Sequence, residues 1–503
     1  MEAMNGTDSP VEHLDVVIVG AGLSGIGAAY RLQTECPGKS YAVLEAREAL
    51  GGTWDLFKYP GIRSDSDMFT LGYPFKPWRD EKSIADGASI LRYLRETAAE
   101  SGIDRNIRYS TKVVAADWSS AEARWTLTLA ARDGSGAATE RTLTCGFLYV
   151  CAGYYDYDRG YDPQFPGADE FAGQIVHPQF WPEDIDYAGK KVVVIGSGAT
   201  AVTLVPSMAE QAESVTMLQR SPTWISAVPG RDKRADTLRK LLPADLAHRL
   251  IRSKNILFGI TFFNYCQRFP ASARKVLTDL NTRILKDERM VAEHFTPSYN
   301  PWDQRLCAAP DADFFKAIKN GKAQVVTDHI ERFVPGGIAL KSGKVLEADI
   351  IVTATGLRLL AFGGIAPQVD GTPVPLAEQF VWQGAMLTGV PNFAVCIGYT
   401  NASWTLRADL TSRLVCKVLR HLDRHGYDAV VPRPDGDLAQ RPLLDLASGY
   451  IQRSIDEFPR QGDRHPWKVR QNYLLDSATT LRTDLSKTLS PISATRGVPA
   501  PAG

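Results

Sequence analysis

Two short glycine clusters, Gly20-Ala21-Gly22-Leu23-Ser24-Gly25 and Gly196-Ser197-Gly198-Ala199-Thr200-Ala201, each follow an apolar run rich in β-branched residues. A buried strand that ends in such a turn and continues as a helix lets backbone approach a pyrophosphate closely. The helix N-terminus adds amide donors and the positive end of its dipole. Beyond the first turn, the run Tyr41-Ala-Val-Leu ends at Glu45, the spacing from Gly25 at which an acid meets the ribose hydroxyls of a dinucleotide. An acid there repels a 2′-phosphate, so Gly20, Gly22, Gly25 and Glu45 suit FAD or NAD. The second unit differs, because its run Ser214–Leu218 leads into Gln219-Arg220-Ser221. A guanidinium at Arg220 can pair bidentately with a phosphate, the signature expected of NADPH. Gly196, Gly198, Thr200, Ala201, Arg220 and Ser221 are the candidate contacts of that second site. Two dinucleotide sites in one chain suggest that electrons pass from one cofactor to the other.

Between the two turns lies Phe171-Ala-Gly-Gln-Ile-Val-His-Pro-Gln-Phe-Trp-Pro182. It resembles the fingerprint of the Baeyer–Villiger monooxygenases, Phe-x-Gly-x-x-x-His-x-x-x-Trp-Pro, with Phe171, Gly173, His177, Trp181 and Pro182 at the fixed positions. Five fixed positions recur by chance about once in 10⁶–10⁷ starts. Longer strings extend the likeness: Gly51-Gly-Thr-Trp-Asp-Leu-Phe57, Tyr59-Pro-Gly-Ile-Arg-Ser-Asp-Ser-Asp-Met68, Tyr299-Asn-Pro-Trp-Asp-Gln-Arg-Leu-Cys307 and Gly398-Tyr-Thr-Asn-Ala-Ser-Trp-Thr-Leu406. From about residue 13 to 485 the chain resembles class B flavoprotein monooxygenases, with particular likeness to the actinobacterial branch that activates the thioamide drug ethionamide.

That resemblance implies FAD and NADPH as cofactors and O₂ as co-substrate. NADPH reduces the flavin, O₂ adds at C4a, and the peroxyflavin anion attacks a ketone, so that one oxygen is inserted beside the carbonyl to give an ester or lactone. The protonated form instead oxygenates sulfur or nitrogen, as in a thioether, thioamide or amine. The expected partner is thus an apolar small-molecule ketone or a sulfur compound. Such a site must stabilise two oxyanions in turn, and a fixed cation does so without solvent reorganisation. By resemblance Arg305 is that cation and Asp65 the carboxylate that orients it beside the cofactor, with Asp67 as the alternative acid. Gly52, Thr53, Trp54 and Asp55 form the second FAD-contacting motif, and His177 on the linker couples NADP(H) binding to domain movement. Gln304 stands where many relatives place Lys, which weakens the expected grip on the NADPH phosphate. A helix is expected from Trp404 to about residue 425, its N-terminus toward the flavin.

These groups require an α/β fold of two Rossmann-like dinucleotide-binding domains, for FAD and NADP, with a helical insertion. Residues 1–155 and 336–485 are expected to form the FAD domain in two parts, with 156–190 as the fingerprint linker. Residues 191–335 form the NADP domain with helices at about 230–300, and 486–503 a disordered tail. The strand at 348–356 is expected to return toward the first domain. The insertion carries Arg231, Lys233, Arg234, Arg239 and Lys240 before an apolar run, Ile256–Phe263. It is expected to pack on the NADP domain and to lid the substrate tunnel, with peripheral membrane contact left open.

Composition narrows the alternatives. Lys+Arg and Asp+Glu are equal at 57 each, so no global field recruits nucleic acid. No apolar run approaches a membrane span. The polar, acidic N-terminus lacks the regions of a signal peptide, and seven cysteines without Cys-x-x-Cys fit a reducing compartment, so a cytoplasmic protein is expected. A disulfide reductase would need a redox pair such as Cys-x₄-Cys, which is absent from the sequence. No metal-ligand spacing occurs.

Overall fold

In the computed structural model, which describes residues 11–132, 138–444 and 447–493, the first apolar run forms β1 (His13–Val19). It leads through the glycine turn into α1 (Leu23–Glu35) and then β2 (Tyr41–Leu44). β1 and β2 pair in parallel, from Val16 opposite Tyr41 to Val19 opposite Leu44. Side chains branched at Cβ and buried on both faces favour such a strand over a helix, and Val16, Val17 and Ile18 are all buried. Three antiparallel strands follow, β3 (Thr111–Ser119), β4 (Arg124–Arg132) and β5 (Ala138–Val150). The end of β5 lies parallel to β1, with Phe147 opposite Val16. Cys151 N then donates to Val19 O at 2.7 Å, which brings the end of β5 to the glycine turn.

The chain leaves this sheet along β6 (Tyr155–Gly160) and enters a second through β7 (Gln174–Val176). There β8 (Lys191–Ile195), α2 (Ala199–Met208) and β9 (Ser214–Gln219) repeat the strand–turn–helix–strand unit. The helical insertion comprises α3 (Lys233–Leu241), α4 (Ala244–Arg268), α5 (Pro270–Leu285) and α6 (Glu288–His294). α7 (Asp313–Lys319), β10 (Ala323–Thr327) and β11 (Ile350–Thr353) complete the unit. The second sheet has the order β10-β9-β8-β11-β7, with every pairing parallel.

This order corrects the expectation that the strand at 348–356 returns to the first domain. β11 lies inside the second sheet beside β8, because its Ile350, Ile351 and Val352 are apolar and buried and need a strand on either flank. The boundary expected at 335/336 therefore falls within this sheet, and β7 joins it from the segment expected as linker. The return runs along β12 (Leu357–Leu359), antiparallel to β6, so the two crossings form one ribbon.

Back in the first sheet, β13 (Phe393–Val395) pairs with β5 in parallel, and α8 (Trp404–His425) packs along α1. β14 (Ala429–Pro432), α9 (Gly449–Gln452) and β15 (Leu489–Ile492) end the described chain. The tail expected from 486 is ordered as far as 493. β15 pairs antiparallel with β14, and burial of Leu485 and Leu489 supplies the apolar anchor. The rest of that expectation, 494–503, lies outside the described residues.

The insertion also packs differently from its expectation. α5 and α6 do join the core of the second unit through Leu285, Val291 and Phe295. α4 instead docks on the first unit. Its buried Arg252 donates through Nη1 to the carbonyls of Phe69 and Gly72, each at 2.8 Å, and Asn255 donates to Asp67 at 2.9 Å. Carbonyls at the end of a short helix have no partner within it, and a guanidinium supplies one. Among the described residues no helix is long and apolar enough to cross a membrane.

Candidate functional site

The first glycine turn opens on a cleft of about 510 Å³, which the start of α2 also reaches. Gly20, Gly22, Glu45, Gly52, Thr53 and Trp54 line it from the first unit, and Ala199, Thr200 and Thr203 from the second. Asp65 and Arg305 lie in its wall with Tyr154, Tyr155 and Trp404.

The first turn is built for backbone approach. Gly20 has φ +99°, and a Cβ there would lie 2.9 Å from Cys151 O. A Cβ on Gly25 would lie 1.8 Å from Gly20 O. The α1 N-terminus carries no side-chain cap and no acid in its first turn, so its amides are free for a ligand's phosphate. Gly52 faces the turn, where a Cβ would sit 3.2 Å from Gly22 Cα. Bare backbone on both sides fits a pyrophosphate and the edge of a flat ring, so the residues fit FAD. The α2 N-terminus at Gly198 is likewise uncapped and free of acid, with nothing within 4 Å of a Cβ built there. That opening fits a second pyrophosphate.

Glu45 does more than face a ribose. Its two carboxylate oxygens accept from Ala21 N at 2.7 Å and Arg47 N at 2.9 Å, tying the turn to the end of β2. Burial raises its pKa, with those two amides opposing. Asp55, expected at the cofactor, does not line the cleft. Its carboxylate is engaged by Arg47 at 2.8 Å and Arg95 at 3.5 Å, which holds the 51–56 turn from behind. Gly25, Gly196, Gly198, Arg220 and Ser221 also lie outside the cleft lining. Ala201, expected as a cofactor contact, is fully buried in the core of the second unit, where its methyl packs. Arg220 is exposed and makes no ion pair among the described residues. Gln219 beside it is buried, donating to His294 O at 2.8 Å and Thr327 Oγ1 at 2.9 Å.

Arg305 is partly buried, and its Nε has no hydrogen-bond partner. The expected contact pair with Asp65 is not formed; among the described residues no carboxylate lies within ion-pair distance of Arg305. The two charges still couple across the cleft. Burial raises the Asp65 pKa, with Arg305 and then Arg63 pulling it down. For Arg305 burial opposes the charge, but Tyr154, Tyr450, Tyr155 and Asp65 raise its pKa above the ordinary arginine value. The guanidinium is thus charged and ringed by phenols, and its donors remain available. Arg63 is committed elsewhere, bridging from the first unit to Asp313 on α7. Tyr59 stands between the units. Burial, and then the Asp65 carboxylate, push its phenol up to about 12, and its hydroxyl contacts Thr200.

The fingerprint residues sit beneath the crossing and not in the cleft. Phe171 is buried with Val193, Ile195 and Leu218. Trp181 packs against the core of the second sheet, and Pro182 follows it on the surface of the same unit. His177 caps a short turn, its Nδ1 accepting from Gln179 N at 3.2 Å. Its ring lies against Gly160, where a Cβ would fall 2.6 Å from Cε1. Burial lowers the His177 pKa, so the ring is neutral at neutral pH and positions β6. Gly173 allows the linker to reach β11, since a Cβ there would lie 2.2 Å from Asp349 O and 2.7 Å from Phe171 Cζ. Gly173→Ala is accordingly expected to cost about 1–3 kcal/mol, checked by thermal unfolding of the FAD-loaded protein.

Sequence reasoning missed Tyr154, Tyr155 and Tyr450 around Arg305. The Tyr154 ring lies tilted against Trp404 with centroids 5.2 Å apart, and the Trp404 indole donates to Ser24 Oγ at 2.7 Å. The doublet Tyr154-Tyr155 directly after the strand end and Gly153 was the available signal. Nothing local marks Tyr450.

Comparison with known proteins gives the same picture. Residues 14–232 match the family model of flavin-binding monooxygenase-like proteins. The chain is 54% identical over 467 residues to the FAD-containing monooxygenase EthA of Mycobacterium tuberculosis, covering 92% of this chain and 94% of that one. It is 47% identical to the probable FAD-binding monooxygenase AlmA of Acinetobacter baylyi, over 92% and 93% of the two chains. Among solved structures, an oxidised steroid monooxygenase bound to NADP superposes with a TM-score of 0.75 at 22% identity, covering 96% of this chain and all of that one. An open form of cyclohexanone monooxygenase superposes with a TM-score of 0.69 at 19% identity, over 84% and 91%. The last two establish likeness of fold, and the first two establish descent: the chain belongs to the class B flavoprotein monooxygenases.

Proposed function

We propose that this monooxygenase uses FAD and NADPH to insert one oxygen of O₂ beside the carbonyl of an apolar ketone, a Baeyer–Villiger oxidation, in the cytoplasm. The observation that supports this reading is Arg305, a charged guanidinium without an ion pair among the described residues, in the wall of a cleft reached by the uncapped N-terminal turns of α1 and α2. A bound flavin would supply two-electron reduction by NADPH and activation of O₂. The chain supplies the rest. Gly20, Gly22, Gly25 and the α1 N-terminus would hold the pyrophosphate, Glu45 fixes the turn through Ala21 N and Arg47 N, and Gly52, Thr53 and Trp54 would hold the flavin end. Gly196, Gly198 and Thr200 would hold the second dinucleotide, with Arg220 and Ser221 at its phosphate, whereas Ala201 is fully buried in the core of the second unit. Arg305 offers fixed N–H donors where negative charge develops on oxygen, and a site walled from water makes those donors count for more.

Likeness to the thioamide-activating branch supports a second reading, oxygenation of sulfur or nitrogen with the same cofactors. Turnover under ¹⁸O₂ separates the two. The expected result is an ester or lactone carrying one ¹⁸O from an apolar ketone, with one NADPH consumed per product. Sulfoxide from a thioether, with no ester from any ketone, would replace the first reading by the second.

Asp65 carries a pH-dependent prediction. Its pKa is raised by burial, so its favourable contribution to stability is present below the unfolded carboxylate value and lost as pH rises through the folded value. At neutral pH the buried carboxylate therefore costs stability. Asp65→Asn is expected to raise Tm at pH 7–8, with the gain vanishing near pH 4. The same change removes the charge that couples to Arg305 across the cleft and should lower turnover by about 10-fold, or about 1.4 kcal/mol of barrier. Melting curves across pH together with kcat check both halves.

A further inference from the structure

We propose that Tyr450 and Arg453, on and just after α9, are positioning residues that clamp the inter-sheet ribbon and the Arg305 loop in one register. The proposal rests on the reading of Arg305 given above. The ribbon is the covalent crossing between the two sheets, with Leu357 of β12 opposite Gly160 of β6 and Leu359 opposite Tyr155. Immediately beyond it Thr355 Oγ1 donates to Tyr161 O at 3.3 Å, and Gly356 turns the chain with φ +110°.

Arg453 touches both passages. Its guanidinium carbon lies 3.5 Å from the ring centroid of Tyr161 on the outgoing passage. On the returning passage, a Cβ built on Gly356 would lie 3.4 Å from Arg453 Nη2 and 3.7 Å from Tyr450 Cβ. Among the described residues no carboxylate lies within ion-pair distance of Arg453. A cation held by an aromatic face and a glycine is placed by geometry rather than by charge pairing, and such a contact is of useful strength once water is excluded.

The same short segment reaches the arginine loop. Ala447 N donates to Asp303 O at 3.1 Å, two residues before Arg305. Tyr450 is, with Tyr154, among the groups that act most strongly on the Arg305 charge. Packing alone does not call for this arrangement. Ile451 is the residue that α9 buries, and burying it does not require an arginine on Tyr161 or a phenol at Arg305. A shift of one sheet relative to the other must pass through the ribbon, and the clamp carries it to Arg305.

Arg453→Met and Arg453→Lys test this in the FAD-loaded protein. Hydrogen exchange should rise by about five-fold or more in Arg453→Met at the amides of 155–161, 355–359 and 301–306, with β1 and β8 unchanged. The share of NADPH electrons released as hydrogen peroxide should at least double in that variant. Arg453→Lys keeps a cation over the ring and should restore both readouts at least halfway. Unchanged exchange at the ribbon in Arg453→Met, or a Lys variant as impaired as Met, overturns the clamp. Faster exchange with an unchanged peroxide share overturns its link to Arg305. Exchange reads the clamp independently of turnover, so a wild-type protein that consumes no NADPH would sink the functional reading and leave the clamp to be decided by exchange.

Discussion

Arg305→Ala is expected to keep FAD binding and reduction by NADPH within about two-fold of wild type while lowering oxygen insertion by about 10²–10³, the loss typical of one preorganised oxyanion donor. The selectivity follows from what Arg305 does not do in the fold. It forms no ion pair among the described residues, and its Nε has no partner, so truncation breaks no structural contact of that kind. Tyr155 and Tyr450 beside it stay neutral without it, because burial raises both phenols. Asp65 is the exception, since Arg305 is the stronger of the two cations that hold its pKa down. Removing that charge should raise the Asp65 pKa further, so the variant should lose more stability than wild type as pH rises through the folded value. Arg305→Lys keeps the charge but loses the planar fork, and should recover only part of the rate. Anaerobic reduction by NADPH, followed by product and peroxide measurement in air, checks each part. If Arg305→Ala makes oxygenated product at the wild-type rate, its assigned role is wrong.

What could be read in the sequence was local, and what could not depended on distant partners. The glycine turns were legible because their constraint is local. Gly20 with φ +99°, pressed on Cys151 O, follows from a strand that must turn at once into a helix. Runs such as Val192–Ile195 announced parallel strands by composition alone. Partner choice was less legible. Ile350–Val352 is as apolar as β1, and nothing within it states which sheet will bury it. Asp55 follows the pattern of a cofactor contact, yet Arg47 and Arg95 claim its carboxylate from eight and forty residues away. Nothing local to Arg252 announces that three carbonyls near residue 70 will claim its guanidinium. The phenols around Arg305 come from positions about 150 residues away on either side, a proximity created only by the ribbon and α9.

Arg220→Ala should raise the KM for NADPH by about 10–100-fold and leave that for NADH nearly unchanged, as expected for loss of one charge-assisted phosphate contact. The residue is exposed at the end of β9 and unpaired among the described residues, so its charge is available to a ligand and its loss should leave stability almost intact. Its neighbour cannot take over. Gln219 spends its amide on His294 O and Thr327, and neither carries a net positive charge toward the second turn. Gln304 is neutral as well, so the position where many relatives carry a lysine adds no second cation. Arg220 should therefore carry most of the preference for the 2′-phosphate, and discrimination between the two nucleotides should collapse with it. Raising ionic strength should weaken NADPH binding to wild type more than to the variant, because the contact is exposed to screening. Equal effects of Arg220→Ala on both nucleotides would show that the phosphate is read elsewhere, and would return Arg220 to the role of a solvated strand-end cation.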